Sequence, residues 1–188
     1  MVKSEIVCIM ITGILNGKIS IKTTCVVFAC ILFATSCNKE ETEAMTKAKV
    51  AFEKAQGIEY QLDDVLFDYW QSPKETMKRG AGDCEDKAFY LDYLLTKDRI
   101  KSRVVFGRVD IEDSQWHVWN ECDVNGKSYL LDTTCGFVAK RNDVTDRYFQ
   151  PKTSPVQDVF FQAVLRDYVT RTGDTTIVDR ISYPGNKK

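Results

Sequence analysis

Cys84, His117 and Asp132 are the residues whose types, taken together, could open an amide bond. A thiolate attacks the carbonyl carbon, an imidazole takes and returns the proton, and a carboxylate holds the imidazole in one orientation. Cys84 lies in GDCEDKAFYLDYLL, Gly82 to Leu95, with Asp83 before it and Glu85 and Asp86 after it. Acids beside a sulfur oppose its ionisation. The same segment reads as the start of a helix, because Ala88, Leu91, Leu94 and Leu95 recur at helical spacing. Asp83 suits the N-cap, and Glu85 and Asp86 fall in the first turn, where the helix dipole favours negative charge. Free N–H groups and the dipole at that position stabilise a thiolate. Each acid, if exposed, disfavours the thiolate by at most about 1 kcal/mol. Taken alone, Cys84 reads as well as a small buried hydrophobe at the start of a capped helix.

The register of a hairpin brings the other two residues together. WHVWNECDV and KSYLLDTTC flank Asn125-Gly126, a two-residue turn signal. With these as the turn residues, Val124 faces Lys127 and Trp119 faces Asp132. His117, two residues from Trp119, shares its face. His117 and Asp132 are then diagonal neighbours, roughly 7 Å apart between backbones and within side-chain reach. His117 is the single histidine of the chain. A strand histidine bonded to an acid for stability alone has the same signature. The combination with Cys84 supplies nucleophile, base and orienter. On the same register Cys122 and Cys135 share the opposite face but lie far apart along it, so no disulfide joins them if both belong to regular strands.

Around these residues the elements run in order. Helical signals begin near Val50 to Phe52, and Tyr60 to Trp70 forms a second apolar segment read as helical. Ser72 to Glu75 is a capping box with proline at the first helical position, predicting a short helix to about Lys78. Gly80 and Gly82 separate it from the Cys84 helix. Val104 to Ile111 reads as a strand before the hairpin. Ser154-Pro155 opens a last helix bearing Val156, Val159, Phe160, Ala163 and Val164, and the tail from Gly173 is weakly patterned. Helices, then strands, then a helix predict an α+β domain.

The 188 residues carry a formal net charge of −1, which offers no basic face for nucleic acid. Thr23 to Ser36 is an apolar run after Lys18 and Lys22, too short for a comfortable span and shaped like a signal-peptide core. It ends in FATSC, which resembles the lipobox of bacterial lipoproteins, with Ala34 where leucine is usual. The resemblance makes Cys37 the lipidated first residue. Residues 1–36 are then a signal peptide, 37–43 a polar tether, and 44–188 one domain. An uncleaved anchor is the alternative, and the apolar stretch Ile6 to Leu15 has no assigned role. Cys84, Cys122 and Cys135 remain, an odd number that leaves at least one thiol unpaired within the chain.

DYWQSPKETMKRGAGDCEDKA, followed by HVWNE and LLDTT, resembles the transglutaminase-like superfamily, most nearly its bacterial cysteine proteinases. The likeness covers about Tyr60 to Thr134. It implies a papain-like α+β core with the cysteine helix packed on an antiparallel sheet. It gives Cys84, His117 and Asp132 the roles of nucleophile, base and orienter. It also implies an aromatic or amide donor to the oxyanion upstream of the cysteine, which could be Trp70 or Gln71. The Cys84 backbone N–H is a second donor. Some bacterial members bind calcium through acids flanking the cysteine, here Asp83, Glu85 and Asp86. Capping explains these acids as well, and no other cofactor is required.

The reading is a thiol-dependent amide or peptide hydrolase acting through a thioester. Amine transfer by the same triad is the first alternative, with Trp70, Trp116 and Trp119 available to wall a tunnel. A binding module without turnover is the second. Protein, peptide or cell-wall peptide are the expected substrates. The expected address is the envelope of a Gram-negative bacterium, through lipid at Cys37. NKEE after Cys37 resembles a surface-export signal.

Overall fold

A computed structural model describes residues 43–63, 68–110 and 115–183. The segment read as a signal peptide, Cys37 and most of the segment read as a tether lie outside the described residues. By its internal contacts the chain divides into Met1–Glu43 and Ala44–Lys188, and the fold below is that of the second unit.

A first helix, α1, covers residues 43–56 and ends at Gly57. A two-residue strand β1 (Glu59–Tyr60) pairs in parallel with β2 (Ala81–Gly82). Between them lies α2 (Pro73–Arg79), with the reciprocal Ser72–Glu75 capping box and Gly80 in the left-handed region at its C-cap. The segment read as a second helix is β1 followed by irregular chain at 61–63 and 68–70, and its middle lies outside the described residues. The parallel pairing with β2 and the Gln61 N–H bond to the Gly82 carbonyl draw this segment's backbone into extended form.

The cysteine helix α3 (Cys84–Lys97) is followed by β3 (Lys101–Val109), β4 (His117–Val124), β5 (Lys127–Asp132) and β6 (Phe137–Lys140). A 3₁₀ turn (Arg141–Val144) leads to β7 (Tyr148–Phe149) and α4 (Pro155–Thr172). A second 3₁₀ turn (Thr175–Asp179) leads to β8 (Ile181–Ser182). The sheet runs β6-β5-β4-β3-β7, antiparallel throughout, with β8 added in parallel beside β3. Helices on an antiparallel sheet make the α+β class, of transglutaminase-like type.

The hairpin register is the one the turn dictates. Asn125 and Gly126 both take positive φ, and Val124 pairs with Lys127, Cys122 with Tyr129 and Asn120 with Leu131. Alternation along β4 then sorts its side chains. Cys122 and Val124 face a cluster with Phe52 of α1 and Leu91 and Leu95 of α3. Val118 faces a second cluster with Trp70, Phe89, Phe106 and Tyr168. Trp119 turns to the other face, against Val105, Leu130, Val144 and Tyr148. Leu91 and Leu95, both fully buried, contribute about 1.5–3 kcal/mol each through apolar transfer. Asn120 is buried, and its amide donates to the Ala88 carbonyl at 3.0 Å, tying α3 to the strand that begins with His117.

The last helix buries a different set from the expected one. Phe161 and Tyr168 are its buried residues, whereas Val156, Val159 and Phe160 are 78, 68 and 51% exposed. Its apolar residues lie around much of the helix, so spacing alone did not select the stripe. The tail is also more structural than its pattern suggests, since Ile177, Ile181 and Tyr183 complete the second cluster.

Candidate active site

Cys84 is the first residue of α3, where backbone N–H groups have no intrahelical acceptor. Asp83 occupies the N-cap, but its carboxylate makes no capping bond. The thiol is partly exposed and packs against the Trp70–Phe89–Val118 cluster. Its sulfur accepts from the Val118 backbone N–H, at the end of β4 that carries His117, and its proton points to Glu85 Oε2 at 3.2 Å.

His117 opens β4 opposite Gly107 of β3. Gly107 is required there, because a Cβ would come within 2.3 Å of the Trp119 ring and 2.5 Å of the Phe149 carbonyl. The Trp119 ring so placed stacks beside the imidazole, with centroids 6.5 Å apart. His117 Nε2 lies 2.8 Å from Asp132 Oδ2, which leaves Nδ1 as the nitrogen available to a substrate or thiol. The His117 side chain keeps 16% of its exposure and that of Asp132 none. The imidazole thus reaches solvent and the carboxylate does not.

Asp132 is held by a full set of donors. Oδ2 also accepts from the Tyr148 hydroxyl at 3.0 Å, and Oδ1 accepts the Thr134 and Cys135 N–H groups at 3.0 and 2.9 Å. Burial pushes its carboxyl up, but the bonds from His117 and the Cys135 backbone outweigh that and hold it below the ordinary carboxylate value. Tyr148 was not legible as a site residue. It reaches Asp132 from β7, an element two residues long, while its ring packs edge-on to Trp119 at 5.3 Å.

The acids around Cys84 are not exposed, which corrects the expectation that each weighs little. Asp83, Glu85 and Asp86 are all buried. They divide into two groups. Asp86 accepts the Gln71 backbone N–H at 2.7 Å and the Gln71 side-chain amide, and burial followed by the charge of Asp83 pushes its carboxyl up to about 7. Gly82 is needed for this arrangement, since a Cβ there would lie 2.6 Å from Asp86 Cβ. Asp83 and Glu85 instead meet Asp63, with carboxylate oxygens of the three within 4.8 Å of one another. Asp63 is brought in by the Tyr69 N–H at 2.5 Å, and Asp68 bonds Glu85. Of the expected acidic set, Asp83 and Glu85 group with Asp63, and Asp86 hydrogen-bonds Gln71.

This cluster is charge-frustrated. Burial, then the Asp83 and Asp68 carboxylates, push Glu85 well up, and burial raises Asp83 to about 6. Asp83 Oδ1 is buried without a hydrogen-bond partner among the described residues. An all-oxygen set with an orphaned carboxylate oxygen is what a hard dication requires. Cys84 feels the same surroundings. Burial, then Glu85 and Asp83, raise its thiol well above the ordinary value, against the single lowering bond from Val118.

The two oxyanion candidates differ in commitment. The Gln71 amide is occupied by Asp86. Trp70 is buried, stacked on Phe106 at 4.9 Å, and its Nε1–H has no partner among the described residues. Trp70 and Trp119 lie in separate buried clusters and Trp116 packs edge-on to Phe161 at 5.2 Å, so the three do not wall one tunnel. The remaining cysteines are free thiols, Cys122 buried and Cys135 exposed. Cys135 is not on β5. The turn at 133–136 carries it back to Asp132 and His117, which the extrapolated register did not foresee.

The chain belongs to the transglutaminase-like superfamily, whose family model matches residues 32–132. It resembles calcium-bound LapG of Legionella pneumophila at 18% identity over 63% of this chain and 74% of that one, with a TM-score of 0.48. A further LapG structure gives 17% identity over 71% and 86% of the two chains, with a TM-score of 0.49. A candidate cysteine protease of Cytophaga hutchinsonii shares 19% identity over 55% and 41%, with a TM-score of 0.39. No curated protein matches the chain in sequence.

Proposed function

We propose that the protein is a cysteine-dependent hydrolase of amide bonds in proteins or peptides. The observation that carries this reading is the His117–Asp132 pair at 2.8 Å, on the strand end that the Cys84 sulfur also touches. Asp132 fixes Nε2, and Nδ1 takes the Cys84 proton. The thiolate attacks the carbonyl carbon, and the oxygen gains the charge. Trp70 Nε1–H and the Cys84 N–H are the donors suited to receive it. The imidazolium returns its proton to the leaving amine, and a thioester remains. Water, deprotonated by His117, releases the acid and restores the thiol.

The reading includes a calcium ion held by Asp63, Asp83 and Glu85, with Asp68 beside them. Bound there, such an ion would supply positive charge beside the thiol, and Asp83, whose Oδ1 has no partner among the described residues, would be one of the residues holding it. It also includes export, with lipid on Cys37 placing the domain at the outer membrane or cell surface. Among the described residues no helix is long and apolar enough to cross a membrane. Protease shaving of intact cells checks this address.

The decisive experiment for the chemistry is incubation of the purified protein with candidate peptides, with and without a labelled primary amine. Hydrolysis predicts free acid or cleaved peptide lost in Cys84→Ala and His117→Ala. Cys84-dependent label incorporation that outpaces hydrolysis would assign transfer instead. Limited iodoacetamide labelling maps the reactive thiol, and preferential labelling of Cys122 or Cys135 counts against Cys84.

A further inference from the structure

Cys135, which the hydrolytic reading does not use, forms a cluster with the His117–Asp132 pair. One donor atom each from His117, Asp132 and Cys135 lies within 4.8 Å of the others. The set is one nitrogen, one carboxylate oxygen and one sulfur. It differs in kind from the all-oxygen group of Asp63, Asp83 and Glu85. Nitrogen, sulfur and carboxylate ligands suit zinc-class ions, and hard oxygen sets suit calcium.

We propose that His117, Asp132 and Cys135 form a binding site for a thiophilic dication of the zinc class, and that its occupation removes His117 from service as a base. Ligand atoms around a tetrahedral zinc are separated by roughly 3.3–3.8 Å, so closure asks for movements of about 1 Å. The Cys135 side chain is exposed, which gives an ion a path in. The supporting shell is already built. Thr134 and Cys135 N–H groups hold Asp132 Oδ1, and Tyr148 donates to Oδ2. Three protein ligands leave a fourth position for water. One thiolate, one carboxylate and a dication sum to zero, so little uncompensated charge is buried.

The consequence for the imidazole follows from proton bookkeeping. Metal binding at Nε2 requires that nitrogen to be deprotonated, and the Cys135 thiol releases its proton to solvent. A neutral imidazole bound to metal through Nε2 carries its proton on Nδ1. Nδ1 is the nitrogen that faces away from Asp132, and in that tautomer it cannot accept a proton from a thiol. Binding itself is independent of the hydrolase reading, and only the effect on turnover rests on it.

The test uses the full chain with cobalt(II) as the probe and zinc as competitor. A thiolate-to-cobalt charge-transfer band should appear in the near ultraviolet, saturate at one equivalent and be displaced by zinc. The band should persist in Cys84→Ser and in Asp83→Asn, and disappear in Cys135→Ser with affinity reduced at least about tenfold. The single histidine gives one set of ring signals by NMR, and zinc should shift them in the wild type and much less in Cys135→Ser. Loss of the band in Cys84→Ser, alone or together with Cys135→Ser, would move the metal to the nucleophile and overturn the assignment. Persistence of the band in Cys135→Ser, or no saturable band in the wild type, would overturn it equally.

Discussion

Asp132 and Asp83 are both buried carboxyl groups within the same site, yet their surroundings push them in opposite directions. Asp132 has four donors and is held low. Asp83 has an unpartnered oxygen and further carboxylates for neighbours, and is raised to about 6. Burial is common to both, so burial does not decide the charge. The donors decide it. Asp132 finds its hydrogen-bond donors within the fold, whereas Asp83 keeps an oxygen without one among the described residues.

The largest expected effect breaks the Asp132 side of this contrast. Asp132→Asn keeps the shape but removes the charge that orients the imidazole, and turnover should fall by about 10³-fold or more while Cys84 remains present. A kcat within a few-fold of the wild type would detach Asp132 from the chemistry. The next effect concerns the acidic group. Calcium at about 100 times its dissociation constant should stabilise the folded protein by about 2.7 kcal/mol, read as a rise in Tm that EGTA reverses. Asp83→Asn should abolish the rise, and Asp86→Asn should keep it because Asp86 is bound to Gln71. An equal loss in both would return Asp86 to the ligand set.

A smaller effect separates donors from burial directly. Tyr148→Phe deletes one donor to Asp132 and leaves the ring against Trp119. It should cost about 1 kcal/mol in urea unfolding. The smallest effect lies at a solvent-facing acid. Bonds from Ser72 hold the Glu75 carboxyl below its ordinary 4.5. A depressed folded value means that its stabilisation is present above about pH 4.5 and is lost as pH falls through the folded value. Glu75→Gln should therefore cost about 0.5 kcal/mol at neutral pH, limited by solvent screening, and nothing in strong acid.

What could be read from sequence was local or set by a strict period. The Asn125-Gly126 turn fixes the alternation of β4 and β5, and that alternation delivers His117 to Asp132. The capping boxes at Ser72 and Ser154 fix two helix starts. What escaped depends on chain segments meeting without a period to announce them. Tyr148 arrives from β7, and Asp63 comes from a loop closed by the β1–β2 pairing. Cys135 was misplaced because the strand ends at Asp132 and the following turn resets the side-chain direction. The exposed face of α4 was misjudged because its apolar residues do not mark one stripe. The burial of the acids at α3 was missed for a related reason. A carboxylate in the first turn has the same sequence signature whether it caps the helix or turns inward.

Loops that join strands usually tolerate inserted and deleted residues, but the Asn125-Gly126 turn is constrained by the β4–β5 register it sets. The connection at 133–136 differs. Its backbone N–H groups are bound by the same carboxylate that orients His117. A residue gained or lost there would release Asp132 from one side and leave the imidazole held from the other. As related sequences diverge, this turn should keep its length for its hydrogen bonds, and the Asn125-Gly126 turn should keep its own for the register.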